Sequence, residues 1–281
     1  MLDKIVLGTA QFGMRYGINS RRKISKNEIF KILDFSVENQ INKLDTAPVY
    51  GNAEDLIGEY SKINNLNFKI TSKFDTKNKS IEESINESLN RLNSNKIDTF
   101  LFHSLDSFKT LKKTFFGLKN LKKYSDNYGI SLYTNEEVSE IQDIEELNTI
   151  QIPFNILDNY TQRGRTISLI KQKNKKLFFR SIFLQGLFFI PLDKISKNLI
   201  KLKENLIEIN RLSTKYNLPI HSIAVSYVFS QNTNGVLVGV ESISHLKKII
   251  NSIHIIKNED LFKEIDSIQV TDKKKLDPRF W

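Results

Sequence analysis

Eight short apolar runs, each followed by a segment with helical spacing or helix-cap chemistry, recur from end to end of this 281-residue chain. They begin with Lys4–Gly8 and continue at Lys43–Asp45, Lys69–Thr71 and Thr99–Phe102. Ile130–Tyr133, Thr149–Ile152, Leu177–Arg180 and Gly235–Gly239 complete the set. Strands that alternate with helices pair in parallel, because each helix carries the chain back to the start of the next strand. Eight alternations with no Gly-x-Gly-x-x-Gly fingerprint favour one closed α/β architecture, the (β/α)8 TIM barrel, over an open doubly wound sheet. About 250 residues is typical of that barrel. With no fixed-period repeat, low-complexity linker or composition break, one domain over residues 1–281 is expected.

The helices show in their caps and spacing. Ser25 precedes Lys26-Asn27-Glu28, a hydroxyl N-cap with a carboxylate in the first turn. Ser80-Ile81-Glu82-Glu83 has capping-box spacing, after which Ile81, Ile85, Ser88, Leu89 and Leu92 form one apolar face. Ser242 is placed to cap a last barrel helix whose Leu246, Ile249 and Ile250 turn inward. Leu199, Leu202, Leu206, Ile209 and Leu212 predict one helix over Lys197–Tyr216. Residues 158–174 and 188–197 read equally as loop or helix.

Composition removes several chemistries. The chain has no cysteine, which excludes disulfides, cysteine-ligated zinc, iron–sulfur clusters and a thiol nucleophile. No run approaches the roughly 18 uninterrupted apolar residues of a spanning helix. Met1–Lys4 leads straight into a strand without a signal-peptide apolar region, so a cytoplasmic location and no membrane partner are expected. A formal net charge of +10 raises the question of nucleic acid. The lysines are scattered over helix faces with no stripe of interleaved aromatics, which fits a solvated surface instead.

In a parallel barrel the strand C-terminal ends converge on one face. That places four remote residues in one pocket: Asp45, Tyr50, Lys73 and His103, each at or just past a strand end. A carboxylate, a phenol, an ammonium and an imidazole make a proton-donating site suited to carbonyl reduction, and no metal is needed. A free phenol, with its pKa near 10, is a poor acid at neutral pH. Lys73 is expected to lower that value for Tyr50, with Asp45 keeping the ammonium charged and oriented. Asp45 and Tyr50 are too far apart for strand alternation, so Ala47-Pro48 has to bend the chain. His103 is the candidate hydrogen-bond donor to the substrate oxygen. Taken singly, Asp45 reads as a strand-to-helix cap and His103 as a buried histidine; their ordered co-occurrence carries the functional reading.

The chain resembles the aldo-keto reductases over nearly its whole length. The likeness rests on Gly8-Thr9-Ala10-Gln11-Phe12-Gly13, Leu44-Asp45-Thr46-Ala47 with Tyr50-Gly51, Ser72-Lys73 and Phe102-His103. Gly129-Ile130-Ser131, Ile150-Gln151-Ile152-Pro153-Phe154-Asn155 and Val238-Gly239 extend it. The resemblance implies NADP(H) or NAD(H) lying extended across the strand C-terminal face, and a tetrad carried by Asp45, Tyr50, Lys73 and His103. It implies that Ser131 and Gln151 hold the nicotinamide carboxamide, with Leu132 where an asparagine is frequent. Arg180 stands where many members stack a tyrosine on the nicotinamide. Its guanidinium plane either takes that place or reaches toward an anionic substrate. Gln185 and Gly186 match a turn near the pyrophosphate. Gly239, Glu241 and Ser242 match the adenine end, with His245 where an arginine is frequent. A carboxylate there would accept a ribose 2′-hydroxyl and repel a 2′-phosphate. That runs against the family's NADPH default, with Lys247 and Lys248 as compensating charges.

Candidate substrate-pocket residues are Phe12, Met14, Tyr16, Tyr133, Phe183, Phe188 and Phe189. The tail Lys273–Trp281, basic and ending on the only tryptophan, is expected either to fold over the pocket mouth or to fray. The resemblance extends to bacterial reductases of surface-sugar metabolism through Phe183-Leu184-Gln185-Gly186 and Asp277-Pro278-Arg279-Phe280-Trp281, which makes a sugar-derived carbonyl the expected small-molecule substrate. Two alternatives use the same barrel. One is a nicotinamide-nucleotide sensor without turnover. The other is a lyase or isomerase with Lys73 as a Schiff base, disfavoured because Asp45 keeps that lysine charged.

Overall fold

The computed structural model describes residues 1–18, 22–74, 80–117, 121–253 and 258–281. Eight parallel strands close into a barrel: β1 (Ile5–Gly8), β2 (Lys43–Asp45), β3 (Lys69–Lys73), β4 (Ile97–Phe102), β5 (Ser125–Ser131), β6 (Thr149–Pro153), β7 (Lys176–Arg180) and β8 (Gly235–Gly239). Each pairs with the next, and β8 returns to β1 with Ile5 opposite Val236 and Gly8 opposite Gly239. The expected (β/α)8 architecture is therefore the one observed.

The helices are α1 (Ala10–Gly13), α2 (Lys26–Glu38), α3 (Ala53–Asn64), α4 (Ile81–Arg91), α5 (Leu105–Gly117), α6 (Asn135–Ile141) and α7 (Tyr160–Gln172). After β7 come α8 (Lys203–Tyr216) and α9 (Ile220–Phe229); after β8 come α10 (Ile243–Ile253) and α11 (Glu259–Ser267). Capping boxes start α2 at Ser25 and α4 at Ser80, as the spacing implied. A third, Thr134 with Glu137, starts α6. Throughout the outer ring, apolar residues at helical spacing pack into the core against the strands.

Several elements depart from the sequence reading or settle what it left open: β3 runs on to Lys73 and β4 starts at Ile97. β5 starts at Ser125 rather than Ile130, because polar Asp126 and Asn127 continue the ladder beside the long β4, with Asn127 opposite Thr99. The expected helix over Lys197–Tyr216 divides into a 3-10 segment, Lys197–Leu202, and α8. The ambiguous stretch after Asp158 is mostly α7. Helix α9, buried from Ser222 to Phe229, has no clear helical stripe because nearly every side is covered.

Candidate active site

Asp45 and Lys73 end adjacent strands and are 2% and 1% exposed, so neither charge has water to fall back on. Lys73 Nζ donates to Asp45 Oδ1 at 2.6 Å and to the Thr46 carbonyl at 2.9 Å. Burial pulls the lysine pKa down, but the Asp45 carboxylate and the hydrogen bonds to Asp45 and Tyr50 more than reverse this, and Lys73 stays an ammonium. Asp45 Oδ2 accepts from Gln151 Nε2 at 2.9 Å, and Gln151 Oε1 in turn accepts from Ser131 Oγ at 3.3 Å. Strands β2, β3, β5 and β6 are thus tied by one polar chain across the barrel.

Tyr50 sits on the bend that Ala47-Pro48 was expected to make. Its N–H donates to Ala47 O at 3.0 Å, and its carbonyl accepts from Ala53 N–H at 3.2 Å as α3 begins. Gly51, at φ +61°, completes the turn. Behind it lies Gly13, where a Cβ would come 1.5 Å from the Tyr50 carbonyl oxygen, so only glycine fits. The Tyr50 ring has Lys73 Nζ 5.1 Å from its centroid and meets His103 edge to face at 6.0 Å.

The pKa of Tyr50 departs from expectation. Burial pushes it up; Lys73 pulls it down, and the Asp45 carboxylate pushes it up again, leaving it above its ordinary value. The ammonium acts in the expected direction but does not prevail. His103 is pushed down to about 3 by burial and by the charges of Lys73 and Arg180, so its imidazole is neutral.

A cavity of about 700 Å³ opens at the strand C-terminal ends, lined by all four of these residues. Ser131, Gln151, Arg180, Gln185, Gly186, Gly239, Glu241 and His245 also line it. Ser242 is not a lining residue; its Oγ accepts from His245 N–H at 3.2 Å and caps α10 as foreseen. Lys248 reaches the cavity, whereas Lys247 lies over the Phe35 ring. The turn at Gln185, φ +55°, and Gly186, φ +88°, meets the β1 loop across the opening. Ile18 N–H donates to Gln185 O at 3.0 Å, and Gln185 Nε2 to Tyr16 Oη at 3.4 Å.

Of the expected substrate-pocket residues, Tyr16, Tyr133, Phe183 and Phe189 line the cavity. Phe12 and Phe188 are buried in the core, and Met14 is exposed on the surface. Gln11 and His221 line the cavity without having been singled out. Gln11 was visible in the first motif; His221 lies on α9, which the sequence pattern did not reveal.

The tail folds over the mouth instead of fraying. Pro278 and Arg279 line the cavity, and the Arg279 guanidinium lies 3.7 Å from the Tyr133 ring centroid. Asp277 grips that guanidinium at 2.6 Å, and Trp281 Nε1 donates to Lys275 O at 3.0 Å. Tyr133 also carries Arg180, whose guanidinium is 4.0 Å from the ring centroid.

Residues 4–270 match the model of the Aldo/keto reductase family. The aldo-keto reductase YhdN of Bacillus subtilis is 27% identical over 173 residues, 56% of this chain, and the chain spans about half that relative's length, 51%. Among solved structures, an aldo-keto reductase of Bacillus halodurans in its holo form superposes with a TM-score of 0.69 at 19% identity, covering 93% of this chain and 90% of that one. The glycerol dehydrogenase of Gluconobacter oxydans gives 0.68 at 18% identity, covering 94% and 90%. With the family model spanning all eight strands of the barrel, the chain belongs to the aldo-keto reductase family.

Proposed function

We propose that this protein reduces an aldehyde or ketone to an alcohol with NADPH or NADH. The observation that carries the reading is the buried Asp45–Lys73 pair beside Tyr50 and a neutral His103 in one cavity. Nothing in folding requires these four groups together, and a buried ion pair is weak evidence of stability on its own.

The cavity fits a nicotinamide nucleotide. Its volume of about 700 Å³ lies in the range of ligand sites. The wall at Gly239 is bare backbone, where a Cβ would stand 2.7 Å from Gln11 Nε2. A reduced nicotinamide held there would supply the hydride for the carbonyl carbon. In this reading Tyr50 gives its proton to the carbonyl oxygen, and the raised pKa keeps that proton on at neutral pH. Lys73 stabilises the phenolate left behind, and Asp45 orients Lys73. Neutral His103 donates a hydrogen bond to the same oxygen as charge develops on it. Ser131 and Gln151 would hold the nicotinamide carboxamide, with Arg180 beside the ring and Gln185 and Gly186 toward the phosphates. Gly239, Glu241 and His245 receive the adenosine end, with Glu241 opposing a 2′-phosphate; Ser242 serves as the α10 cap.

The test is a titration with NADPH and NADH followed by reduced-nicotinamide fluorescence, then its loss on adding aldehydes and sugar ketones. Binding with oxidation is expected, with Tyr50→Phe keeping binding and losing nearly all turnover. Binding that no carbonyl discharges would turn the reading to a nucleotide sensor. If neither nucleotide binds, both readings fail.

A further inference from the structure

We propose that the edge of the Arg180 guanidinium binds an anionic group on the carbonyl substrate, so that the protein takes carbonyl compounds carrying a carboxylate or a phosphate. The inference rests on the reductase reading above and names its substrate class.

A guanidinium has five N–H donors. Arg180 engages three of them: Nε to Ser131 Oγ at 3.2 Å, Nη1 to Ser181 Oγ at 3.2 Å and Nη2 to the Leu132 carbonyl at 3.0 Å. Every one of these acceptors is uncharged. One N–H remains on each terminal nitrogen, and charge-assisted hydrogen bonds to an oxyanion are the strong ones. Among the described residues, Lys248 also lines the cavity without an ion pair, whereas three other cations of this region have carboxylate partners. Lys73 has Asp45, Arg163 has Asp158 and Arg279 has Asp277. Arg180 has none, although it lines the cavity and its charge is felt at both Tyr50 and His103. Asp158 also feels that charge, but both its oxygens are taken by Arg163 at 2.7 and 2.6 Å.

A nicotinamide ring on the guanidinium plane does not neutralise it, because the carboxamide is uncharged. A half-buried cation held by three hydrogen bonds and an aromatic face is already ordered for an anion, so binding one costs little further entropy. The substrate carbonyl, placed at Tyr50 and His103, then carries its anionic group within the same field.

The experiment compares kcat/KM for two matched pairs: succinic semialdehyde against butanal, and glyceraldehyde 3-phosphate against glyceraldehyde. The native protein is expected to favour the anionic member of at least one pair, and the favoured pair identifies carboxylate or phosphate. Arg180→Gln is expected to lower that ratio by roughly 10- to 100-fold, the worth of a charge-assisted hydrogen bond. The ratio is insensitive to a change in cofactor affinity, which affects both members alike. Calorimetry with butyrate and glycerol 3-phosphate on the NADP⁺-loaded protein gives a readout free of turnover, and the same loss is expected there. Should Arg180→Gln not fold, Arg180→Lys keeps the charge, loses the guanidinium edge and is expected to lower the ratio less. Turnover with no anionic preference overturns the inference, as does a preference that survives both substitutions. Absence of turnover with every carbonyl instead strikes the reductase reading, and calorimetry then decides the anion site alone.

Discussion

Gln151 Nε2 donates to Asp45 Oδ2 at 2.9 Å, on the carboxylate oxygen that Lys73 does not use. The amide holds the carboxylate in one orientation, and the carboxylate holds the ammonium. Gln151→Leu keeps the volume and removes the donor, leaving a buried charged acceptor short of a partner. We expect a stability loss of about 1–3 kcal/mol, measured by urea unfolding, with a reduced kcat. No change in either quantity would make the contact incidental.

Breaking the Asp45–Lys73 pair strands a charge at a site with almost no solvent. Lys73→Met and Asp45→Asn should each cost about 3–5 kcal/mol. The double variant should recover more than half of the summed loss, since it leaves neither charge behind. A double-mutant cycle in urea checks this, and strict additivity would sink it.

The pH behaviour follows from two displaced groups. His103, at about 3, is neutral across the working range, so the reduction profile should have no limb near pH 6.5 from this residue. Tyr50, raised by burial above the ordinary phenol value, should keep its proton through the neutral range, so kcat/KM should decline only in alkali. Stability has its own sign. The unfolded chain binds a proton at His103 below about 6.5, whereas the folded chain does so only near 3. Stability is therefore lost as pH falls through that window and is fully present above it. His103→Gln should remove one proton's worth of slope between pH 3 and 6.5.

Glu241 lines the cavity beside the α10 cap. Glu241→Gln should shift the ratio of kcat/KM for NADPH over NADH upward by roughly tenfold, the size of one removed like-charge contact. An unchanged ratio would assign cofactor choice to Lys248 or His245.

The barrel was legible because each strand is short, apolar and followed by a cap or a helical stripe; Ile5–Gly8 and Gly235–Gly239 needed no tertiary information. The Asp45, Tyr50, Lys73 and His103 cluster was legible because a parallel barrel sends every strand end to one face. Tertiary pairing hid the rest. Asp126 and Asn127 extend β5 only because β4 is there to pair with them. Helix α9 lacks a stripe because it is covered all round. The raised Tyr50 pKa depends on how much water reaches the phenol, which no spacing records. Phe12 and Phe188 look like pocket residues in the motif, yet both turn into the core.

Gly13 has a consequence for anyone redesigning this pocket. The bend bearing Tyr50 leans on the main chain of α1 at Gly13 through backbone atoms, a contact in which the side chain it presents takes no part. The acid can therefore be exchanged for another aromatic as a removable part. The support behind it tolerates no added carbon, and transplanting the bend to another barrel would require carrying the glycine with it.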